Sequence, residues 1–245
     1  MKKGFKTRDK INLQRQEKSY LSLRTKEGRI HSDQIVQQLP FVERSHIHYK
    51  EWRTRQHAFK ILKKYLKSKN KTLRILDLGC GNGWMSRRLM DLGNEVIGLD
   101  INTDELKQAT RLFQNANLQF LNQDIFERPQ IGKFNCILLA SSIQYFSNFK
   151  ELIELLKTYL TPDGEIIIME SHFYTQMDID EAKSRSLKYF KENNAEEMNE
   201  FYFHHTLDSL NEFKLSYIYK NPQSIISKLL APHQSIFPII TISGI

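Results

Sequence analysis

The stretch Ile75-Leu76-Asp77-Leu78-Gly79-Cys80-Gly81-Asn82-Gly83 constrains this chain more than any other: an apolar run closes in three glycines at alternate positions, and a helical pattern follows. Leu73, Ile75, Leu76 and Leu78 fit a strand buried on both faces, and glycine lets the backbone reverse or meet a ligand without steric cost. The helix expected from Met85 to Leu92 then aims its free N–H groups and positive dipole end at whatever fills the loop. A dinucleotide fingerprint requires G-x-G-x-x-G. Here the spacing is G-x-G-x-G, and Trp84 stands where a third glycine would admit a pyrophosphate. A second apolar run, Val96 to Leu99, ends in Asp100. That carboxylate belongs at the tip of the neighbouring strand, where it can accept the hydroxyls of a ribose.

Asp77-Leu78-Gly79-Cys80-Gly81-Asn82-Gly83 together with Asp100 resembles the class I S-adenosylmethionine (SAM) dependent methyltransferases, and the match to their first motif is complete. The resemblance implies a Rossmann-like α/β fold, a doubly wound, mostly parallel sheet of seven strands, with an N-terminal helical extension and a helical insertion after strand five. It implies SAM as cofactor, with Asp77, Gly79, Cys80, Gly81, Asn82 and Gly83 around its methionine part and Asp100 and Ile101 at its ribose. Asp124 and Ile125, from Asn122-Gln123-Asp124-Ile125, fall at the adenine, and Ala140 and Ser141 complete the set after strand four. Tyr49 and Arg53, beside Trp52, are expected in a segment folded over the bound cofactor.

Strands and helices alternate along the chain as such a sheet demands. Strands are expected at about 73–78, 95–99, 118–121, 136–140 and 165–170. Trp52, Phe59, Leu62 and Leu66 recur at helical spacing ahead of the first strand. Asn102 suits a helix cap with Glu105 three residues on. The helix from about Ser147 is expected to end in a turn at Thr161-Pro162-Asp163-Gly164. Residues 178–200 read as a charged amphipathic helix with Ile179, Ala182, Leu187 and Phe190 on one side. In the resembled family, the terminal pieces Phe213 to Tyr219 and Phe237 to Ile242 pair as two strands with one antiparallel member at the sheet edge.

Of the formal +8 charge, nearly all sits in residues 1–30, where ten Lys/Arg face Asp9, Glu17 and Glu27. Residues 1–45 are therefore expected to be a basic, partly ordered arm, and 46–245 the methyltransferase domain, with about 172–210 as a substrate cover. Nucleic acid is an unlikely partner, possible only through that arm. No apolar run approaches the roughly 18 residues that span a bilayer and no signal peptide is apparent, so no membrane partner and a cytoplasmic location are expected. Cys80 and Cys136 show neither metal nor disulfide spacing, and no metal is expected.

Methyl transfer is an in-line displacement that needs alignment more than covalent chemistry. Ligands of open parallel sheets bind beyond the C-terminal strand ends. The candidates there are Ser141, Ser142, Gln144 and Tyr145 after strand four, and Ser171 and His172 after strand five. For a hydroxyl acceptor the expected bases are His172, His204 and His205, with Tyr145 beside them. The Asn/Asp-Pro-Pro-Tyr/Phe sequence of amino-group nucleobase methyltransferases is absent, as is a Pro-Cys loop. Ser141-Ser142-Ile143-Gln144-Tyr145-Phe146 resembles instead the small-molecule, methyltransferase type 11-like branch. The expected function is methyl transfer from SAM to a small molecule; the alternatives are a nucleic-acid or protein methyltransferase and a non-catalytic SAM-binding module. The acceptor atom and the oligomeric state stay open.

Overall fold

A computed structural model describes residues 9–220 and 237–244. A seven-stranded sheet runs through it in the order β3-β2-β1-β4-β5-β9-β8, built from β1 (Arg74–Leu78), β2 (Glu95–Asp100), β3 (Leu118–Asn122), β4 (Phe134–Ala140), β5 (Leu160–Met169), β8 (Leu215–Tyr219) and β9 (Ile239–Ser243). The first five strands pair in parallel, whereas β9 is antiparallel to both β5 and β8. The antiparallel member thus lies one strand in from the edge, and β8 forms the edge itself.

Residue alternation explains why the central strands read as continuous apolar runs. Leu76, Leu78, Ile137, Leu139, Ile166 and Ile168 enter one core, and Ile75, Cys136, Leu138, Ile167 and Met169 enter the other. The first core is covered by α6 (Phe149–Lys157) through Phe149, Leu152, Ile153 and Leu156. The second is covered by α3 (Tyr49–Ser68) and α4 (Trp84–Met90) through Trp52, Phe59, Leu62, Trp84 and Leu89. Between β2 and β3 runs α5 (Thr103–Leu112), whose cap is the expected one: the Asn102 side chain accepts from the Glu105 N–H at 3.0 Å.

Two expectations are corrected. The turn at 161–164 lies inside β5, whose register with β4 jumps from Phe134↔Leu160 to Cys136↔Glu165, so these residues bulge from a strand rather than follow a helix. The helix after strand five is α7 (Ile179–Glu192), which ends before a short 3-10 segment at Glu196–Glu200. Ala182 and Phe190 of α7 are buried as expected, but Leu187 is 56% exposed, because the packed face follows a four-residue step through position 186 and leaves 187 outside it. In the basic N-terminal stretch, expected to be partly ordered, α1 (Lys10–Lys26) and α2 (Asp33–Gln38) both carry side-chain caps, Asp9 and Ser32. Residues 1–8 lie outside the described residues.

α1 docks on the insertion through specific polar contacts. Ser19 Oγ donates to Glu197 at 2.7 Å, Lys26 Nζ donates to the carbonyls of Asn193 and Asn194 at 2.7 and 2.8 Å, and Leu23 packs with Phe190, Ala195 and Met198. A two-strand sheet, β6 (Phe173–Tyr174) with β7 (His205–Thr206), ties the end of the insertion back to the residues after β5. Helix and insertion together roof the C-terminal tips of the parallel strands. No helix among the described residues is long and apolar enough to cross a membrane.

Candidate functional site

The glycine loop leaves β1 and enters α4 with Gly79, Gly81 and Gly83 all at positive φ. Gly81 at φ +51 turns its missing side chain toward the Glu105 carboxylate, 3.2 Å from where a Cβ would stand. Its N–H donates to Asp100 Oδ2 at 2.8 Å, and Asp100 Oδ1 accepts from Asn102 N at 2.8 Å. One carboxylate at the tip of β2 therefore pins both the glycine loop and the start of α5. Gly83 does something else: a Cβ there would meet Phe120 at 2.6 Å and Ala109 at 2.8 Å, so it packs the loop onto the neighbouring strand and helix and faces away from the cavity. Trp84 is buried edge-on against Trp52, ring centroids 5.6 Å apart.

Two adjoining cavities meet at this loop. One runs over Leu78, Asp100, Ile101, Asp124 and Ile125, roofed by Gln16, Glu17 and Tyr20 of α1. The other runs over Asp77, Cys80, Asn82 and Ala140 to Arg29, Trp52 and Arg55. Tyr20, Gly79, Gly81, Glu105 and Ser141 are common to both. Thus the structure brings together Asp77, Gly79, Cys80, Gly81, Asn82, Asp100, Ile101, Asp124, Ile125, Ala140 and Ser141, and leaves Gly83 in a packing role.

Tyr49 and Arg53 are not brought to either cavity. They lie on α3 away from the loop, with Arg53 donating to Gln56 at 2.9 Å, and only Trp52 of that trio reaches the wall. The covering element is α1. Tyr20 and Arg24 line the cavity beside the glycine loop, and Glu17 accepts from Thr103 N at 2.6 Å, at the first residue of α5. Periodicity does not point to this helix, since α1 buries Gln16 and Ser19 beside Leu23 and so shows no clean apolar stripe.

Three carboxylates converge here. Burial, and then the neighbouring charge of Asp100, raise Glu105 to about 7. Burial raises Asp77 to about 7 too, against the Ser86 hydroxyl, which donates to Asp77 Oδ2 at 2.5 Å. Burial also raises Asp100, against the backbone N–H groups it accepts. Such a corner is relieved by a cation, and a sulfonium bearing an ammonium is one. Donors that are buried and have no hydrogen-bond partner among the described residues, Asn102 Nδ2 at the first cavity and Trp52 Nε1 at the second, mark places that a polar ligand would fill. Arg29 is held by a two-pronged pair with Glu51 at 2.6 and 2.8 Å; although burial opposes it, Arg29 and Arg55 bring Glu51 down to about 2. The residues present fit SAM, which Asp100 and Asp124 in one cavity and Arg29 and Arg55 in the other would hold.

Beyond Ser141 the space widens into a cavity of about 350 Å³ bounded by Gln144, Glu170, His172, Tyr202, Phe203 and His205. A neighbouring cavity of about 540 Å³ includes Arg24, Tyr145, Tyr189 and Tyr202. Of the candidate bases, His172 sits at the exposed rim, its ring 4.3 Å from that of Tyr174. His204 lines none of these cavities: its Nε2 is paired with Ser186 Oγ at 2.9 Å. His205 is buried, with Nε2 donating to the Ile143 carbonyl at 3.1 Å; burial lowers its pKa, and backbone hydrogen bonds with Ile143 and Phe146 oppose that. An imidazole engaged this way holds the insertion to the loop after β4 rather than offering a free base. The Tyr145 hydroxyl accepts from Arg24 at 3.2 Å, at the seam between the cofactor and acceptor sides. Among the described residues no group of His, Cys, Asp and Glu side chains is arranged to hold a metal.

A family model described as a methyltransferase domain matches residues 69–225. YqeM of Bacillus subtilis (strain 168), named as a candidate methyltransferase, is 33% identical over 105 residues, 40% of this chain and 42% of that protein. Malonyl-[acyl-carrier protein] O-methyltransferase 2 of Ilyobacter polytropus is 26% identical over 106 residues, 42% of this chain and 41% of that protein. The match thus spans under half the length of these curated relatives. Among solved structures, the plantazolicin methyltransferase BpumL in complex with SAH (S-adenosylhomocysteine) superposes with a TM-score of 0.55 at 17% identity, covering 95% of this chain and 98% of that one. The magnesium protoporphyrin IX methyltransferase of Synechocystis PCC 6803 with bound SAM gives 0.55 at 12% identity, covering 91% and 96%. At such identities the structural likeness speaks to the fold.

Proposed function

The chain belongs to the methyltransferase domain family, and from that premise we propose that it transfers a methyl group from SAM to a small-molecule acceptor. The observation that carries this is the pair of cavities joined at Gly79, Gly81 and Ser141, one carboxylate-lined and suited to an adenosine, the other opening through Ser141 toward the aromatic cavity under the insertion. SAM, when bound, supplies an electrophilic methyl on a sulfonium. The chain's own part is to hold the cofactor, fix the acceptor in line and keep water out; α1 and the insertion close the site from above. Orientation of this kind contributes roughly 7–11 kcal/mol to lowering a barrier.

Two of the basic residues of the N-terminal stretch, Arg24 and Arg29, turn inward and pair with Glu27 and Glu51. That part of the charge serves the site rather than an outer surface, which supports a small molecule as partner over a nucleic acid. A cytoplasmic location is in keeping with this reading. Calorimetric titration with SAM and with NAD, on the wild type and on Gly81→Val, tests it. SAM alone should bind, and Gly81→Val, which forces a branched side chain at φ +51 against Glu105, should weaken it at least tenfold. Equal binding of NAD, or an unchanged SAM affinity in the variant, would overturn it.

A further inference from the structure

Glu170 has no task in the account so far. It follows the last residue of β5 in a left-handed conformation, φ +54, which a side chain of its length rarely adopts. Its side chain is 7% exposed, and neither carboxylate oxygen has a hydrogen-bond partner among the described residues. Arg55 Nη1 stands 3.4 Å from Oε2, near enough to favour the charged form but too loose to satisfy it. A buried carboxylate left this way is costly, and strain together with unmet polarity is kept where it is used. Its position says for what. Glu170 and Ser141 are the two residues common to the methionine-end cavity and the aromatic cavity, so they flank the point where a methyl group passes from one to the other.

Resting on the methyltransferase reading, we propose that Glu170 accepts the N–H or O–H of the methyl acceptor, so that the substrate is an amine or hydroxyl on an apolar or aromatic body and not a carboxylate. The nucleophile's electron pair forms the bond to the methyl carbon while the methyl–sulfur bond breaks, its pair neutralising the sulfonium. The proton that the nucleophile sheds goes to Glu170 and from there to solvent. An acceptor carboxylate would bring a like charge against a buried one and no proton to give. Tyr174, Tyr202, Phe203 and Phe237 wall the cavity beyond, which suits a flat or apolar body. Burial raises the Glu170 pKa against the pull of Arg55, which makes the carboxylate a better proton acceptor than an exposed one.

The test needs no identified acceptor. Sinefungin, the cofactor analogue with an amine-bearing carbon in place of the sulfonium methyl, puts an ammonium at the transfer point, and SAH leaves that point empty. Calorimetry with both should show the wild type preferring sinefungin by at least tenfold, and Glu170→Gln reducing the preference to within threefold while SAH affinity stays within threefold of wild type. No preference in the wild type, or a preference that survives Glu170→Gln, overturns the proposal. So does a Glu170→Gln protein that is folded by circular dichroism but binds SAH tenfold more weakly, since Glu170 would then belong to the methionine end. Should Glu170→Gln not fold, Glu170→Asp, which withdraws the charge by one methylene, is expected to lose at least threefold of the preference, and an undiminished preference there overturns the proposal equally. A wild type that binds no SAH defeats the methyltransferase reading itself, a result distinct from all of these.

Discussion

Replacing Asp100 by alanine separates a ligand role from a structural one. In the folded chain its two oxygens accept the N–H groups of Gly81 and Asn102, both at 2.8 Å. Deleting them leaves two backbone donors unpaired in a part-buried corner, at about 1–3 kcal/mol each when no water replaces the carboxylate. For a chain of this size that is a fall in Tm of roughly 4–24 °C. If the same carboxylate also receives ribose hydroxyls, each charge-assisted bond is worth at most about 1.5–3 kcal/mol, so the SAM Kd should rise at least tenfold and as much as about 10⁴-fold. Asp100→Asn retains one oxygen that can accept from the backbone. It should therefore recover part of the lost Tm while still binding SAM at least tenfold more weakly. Differential scanning calorimetry of the ligand-free proteins beside titration calorimetry with SAM reads both quantities. A large loss of Tm with SAM affinity unchanged within twofold would refute the ribose role and leave Asp100 as a brace for the loop.

Asp77 and Glu105 both stand at about 7 in the ligand-free chain, against about 4 when unfolded. The folded state thus binds the extra protons, and the stability they confer is full below about pH 4 and lost as pH rises through 7. The Tm of the ligand-free protein should fall from about pH 4 to 7 and level off above, and Glu105→Gln should flatten that fall; a Tm that rises over this range would contradict the sign. Because Tyr20 and Arg24 of α1 line the cavity at the glycine loop, SAM should slow amide exchange across residues 10–26 by at least tenfold, with little change at Tyr49 and Arg53. Equal exchange with and without SAM would remove α1 from the site. His205→Ala, which removes a partner of the Ile143 carbonyl, should lower Tm while SAM affinity stays within threefold. On an identified acceptor, His204→Ala should keep turnover within threefold, and a hundredfold loss would restore His204 as a base.

The sheet and the floor of the site were legible because their signals are local. The apolar runs of β1, β4 and β5 reflect burial on both faces, and the glycine spacing together with Asp100 and Asp124 at strand tips follows from the chain order of a parallel sheet. The roof was not legible for the opposite reason. α1 packs by hydrogen bonds from Ser19 and Lys26 and by contacts of Tyr20 with Tyr145, rings 5.7 Å apart, which leave no periodic apolar pattern. Trp52 and Arg53 are adjacent in sequence but 100° apart around α3, so one reaches the cavity wall and the other does not. The histidines stand out in the sequence because imidazole titrates near neutrality. Glu170 carries no such signal, because a glutamate at the end of a strand reads as solvated surface, and only its burial and its positive φ set it apart.

If this chain moves a methyl group from SAM, a labelled methyl can be followed. Tritiated-methyl SAM incubated with the enzyme and a fractionated small-molecule extract tests that transfer directly. Label should appear in at least one fraction, dependent on the wild-type protein, with equimolar S-adenosylhomocysteine formed, and should be lost together with SAM affinity in Gly81→Val. Tight SAM binding with no label in any fraction and no S-adenosylhomocysteine above background would contradict it and leave a SAM-binding module.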